Sequence, residues 1–226
     1  MKFDIKLSSE ISNSFLANSI KSNFDIVSKK IEKHIIGEID LENKQWNIGL
    51  ICGASGTGKS SIAKNLFSQE LIKEFEWKEK SLCDDFPKLP NEEIIASLTS
   101  VGFSAPPSWL KPYHVLSEGE KMRANLARAL CDKRELFVFD EFTSVVDRSV
   151  AQIGSLAIQK AIRKSNKKFI AVSCHKDIIE WLQPDWIFDT DKQEFFFVKK
   201  QSAQELKQKY ISATDQFGSF LKSITI

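Results

Sequence analysis

The sequence predicts an α/β fold with a mostly parallel sheet, and three observations carry that prediction. Leu136 to Phe139 and Phe169 to Val172 are apolar at every position, as parallel strands covered on both faces require. Helical periodicity alternates with these strands, the pattern left by crossover connections. A third buried strand, Trp46 to Cys52, runs into a glycine loop and then a helix from about Lys59 to Ile72. The chemistry of such a core lies beyond the carboxyl ends of its strands.

In chain order, a mixed N-terminal β region precedes that strand, loop and helix unit. A short strand near Ser81, a helix near Asn91 to Val101, a turn rich in proline (Pro106, Pro107, Pro112) and a helix from about Ser117 to Cys131 follow, making a small helical insert of about residues 87–131. After the two all-apolar strands come short strands at Trp186 to Phe188 and Glu194 to Val198, then a helix from about Ala203 to Tyr210. No repeat, low-complexity tract or sustained heptad interrupts the chain, so residues 1–226 are expected to form one domain.

Composition fits one such unit. At 226 residues, 42% apolar and 27% charged, the chain can bury one substantial core. Its 32 basic and 30 acidic residues leave +2, too little for a global field that would draw it to nucleic acid or an anionic membrane. Cys52, Cys83, Cys131 and Cys174 form no C-x-x-C pair, which fits a reducing compartment. Met1 to Glu10 carries Asp4 and Glu10 and no signal-like apolar segment, and no apolar run approaches the roughly 18 residues of a membrane span. A cytoplasmic location without membrane insertion is expected, and any crossing falls to other subunits.

Gly53-Ala54-Ser55-Gly56-Thr57-Gly58-Lys59-Ser60 satisfies G-x-x-x-x-G-K-S/T in the strand-to-helix context that the motif requires. The glycines let the backbone curl so that successive N–H groups face phosphates, Lys59 reaches the β and γ oxygens, and the Ser60 hydroxyl ligates Mg²⁺. The helix N-terminus adds its partial positive charge, and Ser61 in that first turn belongs with the phosphate-binding set. A chance glycine turn is the bland alternative.

Glu135 to Glu141 reads E-L-F-V-F-D-E, so an apolar strand delivers two carboxylates to its end. Asp140 suits the Mg²⁺ shell, and Glu141 suits the attacking water, whose positioning phosphoryl transfer demands. Apolar strands ending in solvated acids are common, so the other motifs decide.

Leu116-Ser117-Glu118-Gly119-Glu120-Lys121, with Ala127-Arg128-Ala129-Leu130 after it, resembles the LSGGQ signature of ATP-binding-cassette (ABC) proteins. Ser144-Val145-Val146-Asp147 looks like that family's D-loop, and Ser173-Cys174-His175 looks like its switch histidine. With the phosphate loop and the acid pair, these elements stand in the family's order over most of the chain. The resemblance implies a P-loop NTPase fold and an ATP-dependent homodimer. In it Lys59 of one copy faces Ser117, Gly119 and Glu120 of the other across the γ-phosphate, His175 touches that phosphate, and Asp147 links the two sites. Asp140 to Arg148 together with Trp181-Leu182-Gln183-Pro184-Asp185-Trp186 also resembles a narrower group, cassettes often fused to a GNAT-type acetyltransferase domain, for which this chain has no room.

Several positions depart from the family pattern. Glu118 and Glu120 replace a glycine and the glutamine of the signature, bringing two carboxylates toward a polyanion. Ser117-x-x-Glu120 also reads as a capping box that holds the helix start ready. No glutamine stands in the expected loop before the signature. Asp84 or Asp85 lies about there, and Asp85 is the candidate Mg²⁺ partner, against a solvated turn before proline. Phe24, with Phe15 behind it, is the candidate for stacking on adenine, although an aromatic in an apolar segment more often packs in a core. The basic runs Lys29-Lys30, Arg163-Lys164 with Lys167-Lys168, and Lys199-Lys200 read as solvated faces, and His34 and His114 lack ligand-spaced partners.

The expected function is an ATPase switch that acts on a protein or nucleic-acid partner, an acetyltransferase among the candidates. The alternative is the nucleotide-binding subunit of a transporter with separate membrane subunits. About 30 residues between Asp85 and Leu116 leave only a small lobe for engaging membrane helices, which favours the first. A chromosome-maintenance ATPase would need a long coiled coil. A phosphotransferase would leave Ser117, Asp147 and His175 without purpose.

Overall fold

The computed structural model describes residues 1–28, 30–72 and 75–198. Two compact units are distinguished, Met1–Phe196 and Phe197–Ile226; in the second, Phe197 and Val198 are described. The helix expected over Ala203 to Tyr210, and Lys29, Lys199 and Lys200, lie outside the described residues.

Alternating side chains pair β1 (Lys2–Glu10) with β2 (Lys30–Glu38) antiparallel, in register from Lys2 opposite Glu38 to Glu10 opposite Lys30. Phe3 and Ile35 turn inward from this pair, and the Phe3 ring meets Phe188 edge to face at 5.5 Å. Between the strands stands α1 (Phe15–Asn23), capped by the Ser14 hydroxyl, which accepts the Ala17 N–H at 3.2 Å. None of its residues is buried.

The main sheet is built from β3 (Ile48–Cys52), β4 (Leu71–Ile72), β5 (Leu136–Phe139), β6 (Lys168–Ser173), β7 (Trp186–Asp189) and β8 (Glu194–Phe197), in the order β4-β5-β6-β3-β7-β8. β3 pairs parallel with β6 on one side and β7 on the other, and β5 pairs parallel with β6 and β4. All five β3 residues are buried, as a central parallel strand requires. That position sets the loop after Cys52 between the loops that leave β6 and β7. The helices are α2 (Lys59–Leu66), α3 (Asn91–Ser100), the one-turn α4 (Pro106–Trp109), α5 (Glu118–Cys131), α6 (Arg148–Arg163) and α7 (Ile178–Leu182).

Two expectations are corrected. α2 stops at Leu66 rather than Ile72, because Leu71 and Ile72 pair with Val138 and Phe139 and add an edge to the sheet. The strand expected near Ser81 is instead a 3-10 turn, Leu82–Asp85, tied back by the Asp85 carboxylate, which accepts the Lys78 and Glu79 N–H groups at 3.1 Å.

The basic residues at the end of α6 and beyond it act on structure. Arg163 bonds Asp185 at 3.1 Å, Lys168 lies over the Trp46 ring, and Lys167 donates to the carbonyls of Asp132 and Arg134 at 2.6 and 2.7 Å. In that turn Arg134 bonds both Asp132 oxygens, at 3.0 and 2.8 Å, and holds the Asp132 carboxyl down at about 2. The folded pKa lies below the unfolded value, so the contribution is present above about pH 4 and is lost as pH falls toward about 2. Allowing for solvent screening, Asp132→Asn is expected to cost about 1 kcal/mol in urea unfolding at neutral pH. The gap from wild type should close across that acid window.

Candidate functional site

β3 delivers the phosphate loop. Gly53 and Gly58 take φ of +151° and +100°, and a Cβ would stand 2.1 Å from Thr190 Oγ1 at the first and 2.1 Å from Ile35 Cδ1 at the second. Glycine alone lets β2 and the β7 loop approach the backbone this closely. Ser55, Gly56, Gly58, Lys59, Ser60 and Ser61 line a cavity of about 480 Å³. Its opposite wall is Asp140, Glu141 and Ser144 from the end of β5, with Ser173 and Cys174 from the end of β6.

The Ser60 hydroxyl donates to Asp140 Oδ1 at 2.9 Å, so the phosphate loop and the acid pair, 80 residues apart, converge on one point. Lys59 Nζ donates to the Ala54 carbonyl at 2.7 Å, curled onto its own loop. Glu141 is exposed and holds φ +53°, and Thr143 holds φ +67°. Left-handed backbone at residues with side chains costs on the order of 1–3 kcal/mol, and such strain clusters where function requires it. It turns the Glu141 carboxylate out of the strand line while Phe142 stays buried.

A second set of groups anchors the loop. Thr190 donates to the Cys52 carbonyl and shares a 2.6 Å hydrogen bond with the Thr57 hydroxyl, and Asp191 accepts the Ala54 N–H at 2.8 Å. Lys176 bridges Asp189 and Asp191, 3.0 Å from each, so the loop after β6 is joined to the same clamp. Asp191 and Asp189 raise the Lys176 ammonium well above the usual range, and the Ala54 N–H, with Lys176, holds the Asp191 carboxyl low. Beneath the loop, burial and then Asp189 push the Cys52 thiol up to about 11, which keeps it a neutral filler. Sequence reading missed Asp189 and Asp191. The available signal was the pattern already used at Asp140, an apolar strand that ends in acids.

His175 stands beside Cys174, half-buried, with Nδ1 3.2 Å from Arg148 Nη1. Asp147 caps α6 by accepting the Val150 N–H at 3.0 Å. Ser117, Gly119 and Glu120 do not line the cavity. They sit at the start of α5 in a complete capping box: Ser117 Oγ accepts the Glu120 N–H at 3.3 Å, and Glu120 accepts the Ser117 N–H at 3.0 Å. The Ser117 N–H, then the Ser108 hydroxyl, hold the Glu120 carboxyl below its usual range, so its charge is spent on the helix start.

Asp147 and His175 do not line the cavity either, and two further candidates, Asp85 and Phe24, lie away from it. Asp85 is held by the turn at 78–79, its oxygens accepting the Lys78 and Glu79 N–H groups, and it does not line this cavity. Phe24 ends α1, 73% exposed, and does not line the cavity; Phe15 is 92% exposed. Leu7 from β1 lines the cavity instead, and Lys33 from β2 donates to the Gly56 carbonyl.

The residues fit Mg²⁺, a hard cation that takes oxygen ligands. Ser60 and Asp140 place two oxygens 2.9 Å apart at the end of the glycine loop.

No family model matches the chain. It is 31% identical over 121 residues to the macrolide export ATP-binding/permease protein MacB of Campylobacter fetus, covering 50% of this chain and 19% of that protein. It is 26% identical to the energy-coupling factor transporter ATP-binding protein EcfA1 of Clostridium perfringens, covering 78% of each. The dimeric post-hydrolysis state of the ATP-binding cassette MJ0796 bound to ADP and Pi superposes with a TM-score of 0.59 at 13% identity, covering 88% of this chain and 99% of that one. At that identity the likeness shows the fold, which is the P-loop fold of ABC ATPases. The chain thus spans about a fifth of MacB's length but most of EcfA1's. The relatives it resembles in sequence carry ATP-binding names, and the structure it resembles is an ATP-binding cassette.

Proposed function

We propose that two copies of this ABC-type cassette bind Mg-ATP head to tail and hydrolyse it, and that the chain supplies this energy, as a nucleotide-binding subunit, to a membrane-embedded partner. The Ser60 to Asp140 hydrogen bond carries the reading, because it joins the phosphate loop to the acid pair inside one cavity. Lys59 leaves the Ala54 carbonyl for the β and γ oxygens, and the loop N–H groups take the rest. Glu141 orients a water for in-line attack on the γ-phosphorus; the new oxygen–phosphorus bond forms as the bond to the ADP oxygen breaks, and the water's protons leave with the inorganic phosphate. Ser60 and Asp140 would hold Mg²⁺, which when bound would supply neutralisation of phosphate charge.

Ser117 and Gly119 lie outside this cavity in a single copy, and the first is exposed. A second copy brings them to the γ-phosphate. The transporter assignment draws on MacB and EcfA1, whose names describe export and energy-coupling transport. The helical lobe favours a second reading, a switch on a protein or nucleic-acid partner, an acetyltransferase included. Between Asp85 and Leu116 it offers only α3 and the one-turn α4 beside one short 3-10 turn, Tyr113–Val115.

Steady-state phosphate release from Mg-ATP tests the activity; a chain that binds ATP without release is a binding module. Affinity capture of the tagged chain from detergent-solubilised membranes should retain proteins with several membrane spans. Capture of an acetyltransferase or nucleic acid alone selects the second reading.

A further inference from the structure

Arg148 is the first residue of α6, directly after Asp147. Its guanidinium is held on two sides by groups outside its own helix. Asp177 accepts from Nε at 2.9 Å and from Nη2 at 2.5 Å, and the Trp181 ring lies 5.2 Å from the guanidinium carbon. A forked contact to a carboxylate combined with stacking leaves this planar group little freedom. Its remaining arm, Nη1, meets His175 Nδ1 at 3.2 Å, while the Ser173 hydroxyl accepts the His175 N–H at 3.1 Å.

A guanidinium carries donors and no acceptor. Nδ1 of His175 must therefore accept, and in the neutral ring the single proton belongs on Nε2. We propose that Arg148 is a positioning residue that fixes the Nε2–H form of His175 and so presents a hydrogen-bond donor, on the far side of the ring, to a phosphate oxygen. The same guanidinium ties His175 to the turn that carries Asp147, so a displacement of that turn reaches the histidine without passing through the sheet. The phosphate half of this proposal rests on the function proposed above; the tautomer half does not.

The test separates the two. The full chain, labelled with ¹⁵N-histidine, is studied without nucleotide by long-range ¹H–¹⁵N correlation at a pH where the ring is neutral. Its three histidines allow His175 to be assigned by loss in His175→Ala. Wild type should show Nε2 protonated and Nδ1 bare. Arg148→Ala should shift His175 to a mixture, and Arg148→Lys, which keeps a donor, should restore part of the wild-type pattern. A protonated Nδ1 in wild type, or an unchanged pattern in Arg148→Ala, overturns the proposal. If Arg148→Ala folds poorly, Arg148→Met keeps a stem over Trp181 and carries the same comparison.

In phosphate release, Arg148→Ala should lower kcat about ten-fold with KM for ATP nearly unchanged, the loss of about one hydrogen bond in the transition state. Partial recovery in Arg148→Lys supports positioning. An altered tautomer with kcat intact in both Arg148→Ala and His175→Ala would overturn the phosphate half alone. Absence of release in wild type would instead overturn the proposed ATPase while the tautomer result stood.

Discussion

Glu141→Gln is expected to lower steady-state phosphate release by about 100-fold or more while leaving ATP bound, because the amide cannot hold the attacking water as the carboxylate does. The loss should fall on kcat. Lys59, Ser60 and the loop N–H groups, to which the proposed function assigns the triphosphate, are untouched, and the substitution adds no volume at an exposed residue. With hydrolysis blocked, contacts to the γ-phosphate persist, so the variant should accumulate as a dimer in Mg-ATP and return to monomer when the nucleotide is removed. Light scattering reads the doubling of mass directly. A variant that stays monomeric at saturating ATP, or that turns over at the wild-type rate, would remove both the role of Glu141 and the shared site.

Mixing two inactive chains should restore activity. Lys59→Ala removes the cation of the phosphate loop, and Ser117→Arg blocks the start of α5; each alone is expected to lose nearly all turnover. When the chains are mixed in equal amounts, half of the dimers combine the two. Each such dimer pairs one intact phosphate loop with one intact Ser117 and also holds one doubly damaged site. Recovery should therefore approach about a quarter of the wild-type rate per site if sites act independently, as isologous exchange across a two-fold axis demands. No recovery in a mixture that demonstrably exchanges chains would show that both residues serve the site within one copy. Ser117→Arg also forfeits the hydroxyl cap, at a cost of about 1 kcal/mol, so folding must be checked by thermal melting before the mixture is read.

The local parts of this molecule were legible in its sequence. Leu136–Phe139 was read to the residue because a strand buried on both faces admits no polar position, and the capping box at Ser117 and Glu120 was read because its chemistry spans three residues. What escaped was set by partners far along the chain. Leu71 and Ile72 continue the helical spacing of α2, and only Val138 and Phe139 make them a strand. Asp85 stands where the sequence offers a candidate Mg²⁺ partner, but two nearby N–H groups hold its carboxylate away from the cavity. Phe24 lies at about the right distance before Gly53, yet α1 interrupts the antiparallel pair and leaves that ring outside. Asp191 and Ala54 meet across 137 residues, a contact that no local pattern announces.

The clamp formed by Thr190, Asp191 and Lys176 divides the labour of movement. The phosphate loop, the end of β7 and the segment bearing His175 are cross-braced by five hydrogen bonds and ion pairs, and so form a stiff seat. Under the function proposed above, nucleotide is received on this braced seat, while the exposed serine at the start of α5 is carried by a separate set of helices, α3 to α5.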